Sequence, residues 1–314
     1  MVTDRVEEPC GRVAGGATDL TLRKDVKAGV TERVWRGVYL PATKGRPGYV
    51  AERERYRTTV IAAARNGGPD RVASHVSAAV IHRIPMLRPD FSRVHFTTAT
   101  RGKTGKRGVI HQAKLVECQV EVIDEINTTA QPRTICDVAR TSTLDQAVCV
   151  IDSGLHLGVT TDELDDEVKR LRRHHGAAML RTAVLLADGR AESVGESVSR
   201  LVLARCPEIP EPDLQVTVWV DLDGRRRVRG DFGWRDEKGV LRVVGEFDGR
   251  FKYHRSNPFG DRLPEDVLYQ EKLREDAVRA AGPGVVRWTW SDAMRPKVLY
   301  PKVIAALKAG GIIG

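Results

Sequence analysis

Leu214-Gln-Val-Thr-Val-Trp-Val-Asp221, Arg226-Arg-Val-Arg-Gly-Asp-Phe-Gly-Trp234 and Val240-Leu-Arg-Val-Val-Gly-Glu-Phe247 form the stretch whose reading decides the fold. Apolar and polar residues alternate along each segment, the period of a strand with one buried face. Asp223-Gly224 separates the first two, and Asp-Gly between alternating runs is a strong hairpin signal. Asp236–Gly239 supplies the second turn. Working outward, a helix is expected over 192–205 on one side. On the other, a helix over 266–281 ends at Gly282, and a last strand covers 285–290. Helix, three antiparallel strands, helix, strand describes a mixed α/β sheet layered with helices.

The chain has 314 residues, which at about 150 per domain predicts two. Eleven of the 17 aromatics fall from Trp219 onward, whereas the earlier part is rich in Ala, Val, Arg and Thr. A boundary is expected where a helix over 177–187 stops at Asp188-Gly189-Arg190, giving domains 1–188 and 189–314. In the first, Leu20–Pro41 ends in the strand-like run Val34–Leu40. Helices follow over 52–66 and 75–82, the second capped by Ser74 and closed by Pro85. Val94–Thr98 and Gly108–His111 read as strands flanking a basic loop. Four helices are then expected, over 133–140, 144–156, 161–172 (capped by Thr161) and 177–187.

Lys and Arg number 51 against 42 Asp and Glu, a net charge of +9. Excess positive charge in a cytosol points to nucleic acid as partner, although an Arg-rich genome raises charge everywhere. The charge clusters at Arg101-Gly-Lys103-Thr-Gly-Lys106-Arg107 and at Arg225-Arg226-Arg227-Val-Arg229. Neither has the glycine-and-lysine spacing that cradles a phosphate chain, and no dinucleotide fingerprint or nucleophile elbow occurs, so ATP-driven, redox and serine-hydrolase chemistry are not expected. Five widely separated cysteines, and no apolar run near the 18–20 residues of a membrane span, predict a cytoplasmic chain with no membrane partner.

Three acids carry candidate chemistry. Asp231 lies in the second strand and Glu246 in the third. A turn over 236–239 sets Asp231 opposite position 244 or 246, so the two carboxylates share a face with Cβ atoms roughly 5–8 Å apart. Asp248 joins that face if the strand persists. Acids in such an array fit a shared Mg2+, with Lys252 or Lys272 positioning a water. The plainer alternative is a solvated edge hairpin with Arg227 or Arg229 as ion-pair partners. Trp288 and Trp290 on the last strand are read as buried core sooner than as a base-stacking platform. His75 and His82, seven apart on one helix, are read as packing.

These motifs in this order, Gly195-Glu196-Ser197-x-x-Arg200, Asp231-Phe-Gly-Trp234, Val244-Gly-Glu246-Phe-Asp248-Gly249, Glu271-Lys272-x-Arg274 and Gly284-Val-Val-Arg287-Trp288, resemble the PD-(D/E)XK nuclease superfamily, in the branch similar to very-short-patch-repair endonucleases. The first part is similar to the AbiEi antitoxin family through Trp35-Arg-Gly-Val-Tyr39, Ser74-His75-x-Ser77-Ala78-Ala79 and Pro132-Arg133-Thr134-Ile-Cys-Asp137. The resemblance implies a restriction-endonuclease-like second domain with Asp231 and Glu246 as metal ligands and Glu196 as supporting acid. It also implies a link to toxin–antitoxin or phage-defence systems. Asp248 stands where that superfamily has its lysine, and helical spacing turns Glu196 away from the Val194/Val198/Leu201/Val202 stripe. The AbiEi-like family opens with a winged helix, for which Leu20–Pro41 is about half long enough. A remnant is expected there, with Arg33, Arg36, Arg101, Lys103, Lys106 and Arg107 as phosphate contacts.

Two functions follow as expectations. One is Mg2+-dependent phosphodiester cleavage on DNA. The other is a non-catalytic DNA-binding antitoxin or transcriptional regulator, whose partner would be a cognate toxin. The Ala-rich helices over 144–187 also suit a different protein partner.

Overall fold

The computed structural model describes residues 12–13, 19–42, 48–68, 70–221, 225–249 and 280–314. It is mixed α/β, and the chain divides into two compact units: Met1–Thr143 with Val159–Arg181, and Leu144–Gly158 with Thr182–Gly314. A single cut at 188/189 therefore does not separate them. Helix Leu144–His156 belongs with the second unit, where its buried Asp152 accepts a hydrogen bond from Asp188 N (2.7 Å) and pairs with Arg200 (2.9 Å).

The first unit contains a six-stranded sheet ordered Lys103–Thr104, Gly108–Gln112, Val94–Thr98, Val72–Ala73, Ile126–Thr129, Val120–Ile123. Val94–Thr98 and Gly108–Gln112 pair in parallel, so they are not the two arms of a hairpin. The basic loop between them folds back by itself. Lys103 and Thr104 pair antiparallel with Ile110 and Val109, and Gly105 N donates to Gly108 O. Helices Tyr49–Arg65, His75–Ile81 and Gln131–Arg140 bury Val60, Ala78, Ala79, Ile135 and Cys136 almost completely. Thr160, not Thr161, caps helix Thr161–Arg170. Its hydroxyl accepts from Glu163 N while the Glu163 carboxylate accepts from Thr160 N, the reciprocal pair of a capping box.

Near the N-terminus, helix Asp19–Lys27 lies between strand Arg12–Val13 and strands Thr31–Trp35 and Val38–Pro41, the three strands forming a small sheet with Val38–Pro41 in the middle. The run 34–40 is thus two strands. Gly37, at φ +76°, lets the chain reverse at Arg36-Gly37 with little steric cost.

The second unit holds a four-stranded sheet in the order Asp213–Asp221, Arg225–Arg235, Leu241–Asp248, Gly284–Thr289. The first three strands form an antiparallel meander, and the last runs parallel to the third. One face carries Val216, Val218, Val220, Val228 and Val244. The other buries Phe232, Trp234 and Trp288, with Trp288 Nε1 donating to Ser199 of helix Val194–Leu203 and Trp234 Nε1 to Pro210 O. Each buried aromatic contributes roughly 2–3 kcal/mol of transfer free energy. The fit is tight: a Cβ on Gly245 would lie 2.6 Å from the Trp288 ring, and one on Gly195 only 2.0 Å from the Phe247 ring. Trp290 is not on the strand but opens the short helix Trp290–Ala293, meeting Phe247 edge-on at 5.2 Å. The helix expected over 266–281 lies almost entirely outside the described residues.

Candidate functional site

The sheet of the second unit opens where the acids stand. Strands Arg225–Arg235 and Leu241–Asp248 pair from Arg235↔Leu241 as far as Phe232↔Gly245. Beyond that point each continues with its other neighbour: Gly230 to Arg225 with the first strand, Glu246 to Asp248 with the last. Asp231 and Glu246 are the next residues on either side of the gap. An opening ladder leaves backbone groups without sheet partners, and buried N–H groups need one. Asp231 supplies it: its Oδ2 accepts from Phe247 N at 2.7 Å across the fork.

Glu246 is half of an ion pair. Arg287 sits opposite it in the parallel register and donates Nε–H to Glu246 Oε2 at 2.7 Å. The pair is partly shielded, with side chains 15% and 34% exposed. Asp248, at the strand end, is exposed. Lys252 and Lys272 lie outside the described residues. Glu196 departs from its expected outward aim. It is 8% exposed and caps its own helix, accepting from Ser193 Oγ (2.6 Å), Glu192 N (3.0 Å) and Gln215 Nε2 (2.8 Å).

Asp231 and Glu246 fit a hard divalent cation in donor chemistry, because Mg2+ is commonly held by one or two carboxylates with water and phosphate oxygens completing the shell. Among the described residues, no group of three His, Cys, Asp or Glu side chains is arranged to hold a metal ion. A cation at the fork would compete with Arg287 for Glu246.

The basic residues lie on three arms. Arg33 and Arg36 are exposed on the hairpin Thr31–Pro41, with Arg33 Nε donating to Trp35 O. Arg101, Lys103, Lys106 and Arg107 are exposed on the folded-back loop of the six-stranded sheet. Arg227 and Arg229 point outward from the second unit's first hairpin, Arg229 pairing with Glu192 at 2.5 Å. Arg225 and Arg226 hold register positions opposite Asp221 and Val220.

A cluster that sequence reasoning did not assemble lies in the first unit. His75, at φ +53° and 2% exposed, stacks on His111 with ring centroids 3.7 Å apart. His111 Nε2 and His95 Nδ1 share a hydrogen bond at 3.0 Å. His75 Nε2 faces Arg140 Nη2 at 3.0 Å. Asp137, with no exposed surface, pairs with Arg133 (2.7 Å) and Arg140 (2.8 Å). Burial lowers the affinity of all three histidines for protons: His75 falls well below 6.5, His95 to about 4, and His111 also falls. Mutual repulsion among the rings and nearby Arg140 and Arg93 add to this.

Because these histidines bind protons more weakly folded than unfolded, the first unit keeps their contribution above about pH 6.5 and loses it as pH falls toward 4. We predict a loss of about 2 kcal/mol from His95 alone between pH 7 and 5. Urea midpoints across that range test it, and His95→Gln should flatten the slope. An unchanged midpoint from pH 7 to 5 would contradict neutral burial.

No family model matches the chain, so neither resemblance is carried by a family match. Two curated relatives from Mycobacterium tuberculosis, the uncharacterized proteins MT2308 (strain CDC 1551 / Oshkosh) and Rv2248 (strain ATCC 25618 / H37Rv), are each 29% identical over 141 residues. The match covers 45% of this chain and 49% of each relative, so the chain spans about half the length of the curated relatives it matches. Among the described residues, no helix is long and apolar enough to cross a membrane.

Proposed function

We propose that the chain acts on DNA, with the second unit as an endonuclease-like domain whose reaction centre is the fork at Asp231 and Glu246. The observation that carries this reading is the opening of the ladder beside Asp231 and Glu246 on adjacent strands, with Asp231 reaching across the gap to Phe247 N. A helix followed by a three-stranded meander and a further strand in one mixed sheet suits the restriction-endonuclease-like domain that the resemblance to PD-(D/E)XK nucleases implies. In the first unit, a helix followed by a basic hairpin suits a winged-helix remnant that contacts phosphates through Arg33 and Arg36.

Asp231 and Glu246 would hold Mg2+ between the strands. Bound there, the ion supplies an activated water and neutralises charge on the phosphate. Arg287 holds the Glu246 carboxylate through its Nε–H, and a cation at the fork would have to displace it. Arg227 contributes cationic charge for the DNA backbone.

A second reading is favoured by one observation. Glu246 already has a cationic partner, and Asp248 occupies the lysine's place in the motif. On that reading the fork is a neutralised scaffold, and the protein is a DNA-binding regulator with an antitoxin-like role and a cognate toxin as partner.

One experiment separates the two. Full-length protein is incubated with supercoiled plasmid and Mg2+, beside Asp231→Ala/Glu246→Ala. Cleavage that falls by about three orders of magnitude or more in the double variant supports the nuclease. Cleavage that survives both changes removes the fork as its centre. No cleavage, with binding that is indifferent to EDTA and weakens steeply with salt, supports the regulator.

A further inference from the structure

Trp219 is out of character with the other tryptophans of the second-unit strands. Trp234 and Trp288 are 2% and 0% exposed, whereas Trp219 is 51% exposed. The cause is register. In strand Asp213–Asp221 the valines at 216, 218 and 220 face inward, so Thr217 and Trp219 face out. Across the hairpin, Trp219 pairs directly with Arg227 and Thr217 with Arg229, both arginines facing out as well. The Arg227 guanidinium lies 5.7 Å from the centre of the Trp219 ring, a cation–π contact that holds the indole beside a positive charge. The same strand continues into Arg226 and Arg225.

We propose that this outer face binds single-stranded DNA, with Trp219 as a stacking platform for an unpaired base and Arg227 as the adjacent phosphate contact. It rests on the reading of the chain as DNA-acting, and adds which form of DNA the hairpin takes. An aromatic face next to guanidinium groups suits an alternation of π-faced bases and phosphates, and stacking is tolerant of sequence because every base has such a face. In duplex DNA the base faces are hidden in the stack, so an indole on a ribbon face gains nothing from them. Charge complementarity, with Arg227 and Arg229 facing outward beside Trp219 and Thr217, selects a polyanion over an apolar peptide.

The test uses the full chain in EDTA, so that cutting plays no part. Fluorescence anisotropy is read with a labelled 20-nucleotide oligo-dT and with a duplex of equal length. Trp219→Ala is expected to weaken oligo-dT binding by about 5- to 100-fold. Trp219→Phe, which keeps a ring, should stay within about threefold of wild type, and duplex binding by either variant within about twofold. Because Trp219 is half exposed, the Trp219→Ala melting temperature is expected to match wild type. Should it fall, Trp219→Phe and Arg227→Gln read the same face without emptying it, and a single-strand-selective loss in Arg227→Gln supports the proposal. Equal losses on both forms of DNA, or no loss on either, overturn it. So does a wild-type protein that ignores oligo-dT; duplex binding in the same titration would then leave the DNA-acting reading standing.

Discussion

Asp137→Ala is expected to destabilise the first unit by about 3–5 kcal/mol, comparable with the whole stability of many domains. Asp137 is, among the described residues, the carboxylate that pairs with two guanidiniums that are themselves nearly dry: Arg133 is 4% exposed overall and the Arg140 side chain 10%. Both pairs help hold its carboxyl down to about 2, against the desolvation that burial imposes. Deleting the carboxylate leaves two buried cations without a counter-charge, close to His75. The expected pattern is loss of hydrogen-exchange protection across helix Gln131–Arg140 and helix His75–Ile81 at urea concentrations that leave wild type intact. A cost under about 1 kcal/mol would mean that water reaches the guanidiniums, and that the network is not a buried one.

Trp288→Ala is expected to cost about 3–5 kcal/mol in the second unit, as large-to-small changes of buried aromatics do. The ring is fully buried, 5.1 Å from Phe232, and its Nε1 donates to Ser199 Oγ at 2.8 Å. Its removal empties the space above Gly245, where no residue but glycine lets the ring lie so close. The hydroxyl of Ser199 keeps a bond to Gly195 O, so the penalty comes mainly from the cavity. Urea unfolding measures it. Glu246 and Arg287 flank Gly245 and Trp288 in sequence on the same two strands, so the variant should also weaken whatever the fork binds. A Trp288→Phe protein should recover more than half of the loss.

The second unit was legible in its strands because alternation bounded by Asp223-Gly224 and Asp236–Gly239 leaves few registers open. The register adopted ends at Phe232↔Gly245, with Asp231 and Glu246 as the next residues of the two strands. The place where the ladder parts was not legible, since it depends on both outer neighbours at once. The strand that carries Arg287 is legible, but its parallel register against Glu246 is written in neither segment. The same reason hid the histidine cluster. His95 and His111 come from strands whose parallel pairing is likewise written in neither segment. A usable signal did exist for Arg133 and Asp137, four apart on one helix and therefore on one face. Helix Pro296–Ala309 was missed because prolines at 296 and 301 interrupt its pattern. Pro296 sits in the first turn, where no intrahelical donor is lost, and the buried Leu299, Val303 and Leu307 anchor the rest.

The parallel partnership of Leu241–Asp248 with Gly284–Thr289 has a consequence for biosynthesis. When the third strand leaves the ribosome, 35 residues still separate it from the fourth. At translation speeds of about 5–20 residues per second, its outer edge waits roughly 2–7 seconds for a mate. For that interval the nascent chain displays a valine-rich ribbon whose open amides invite other chains, making this the moment at which a holdase chaperone would matter most to yield.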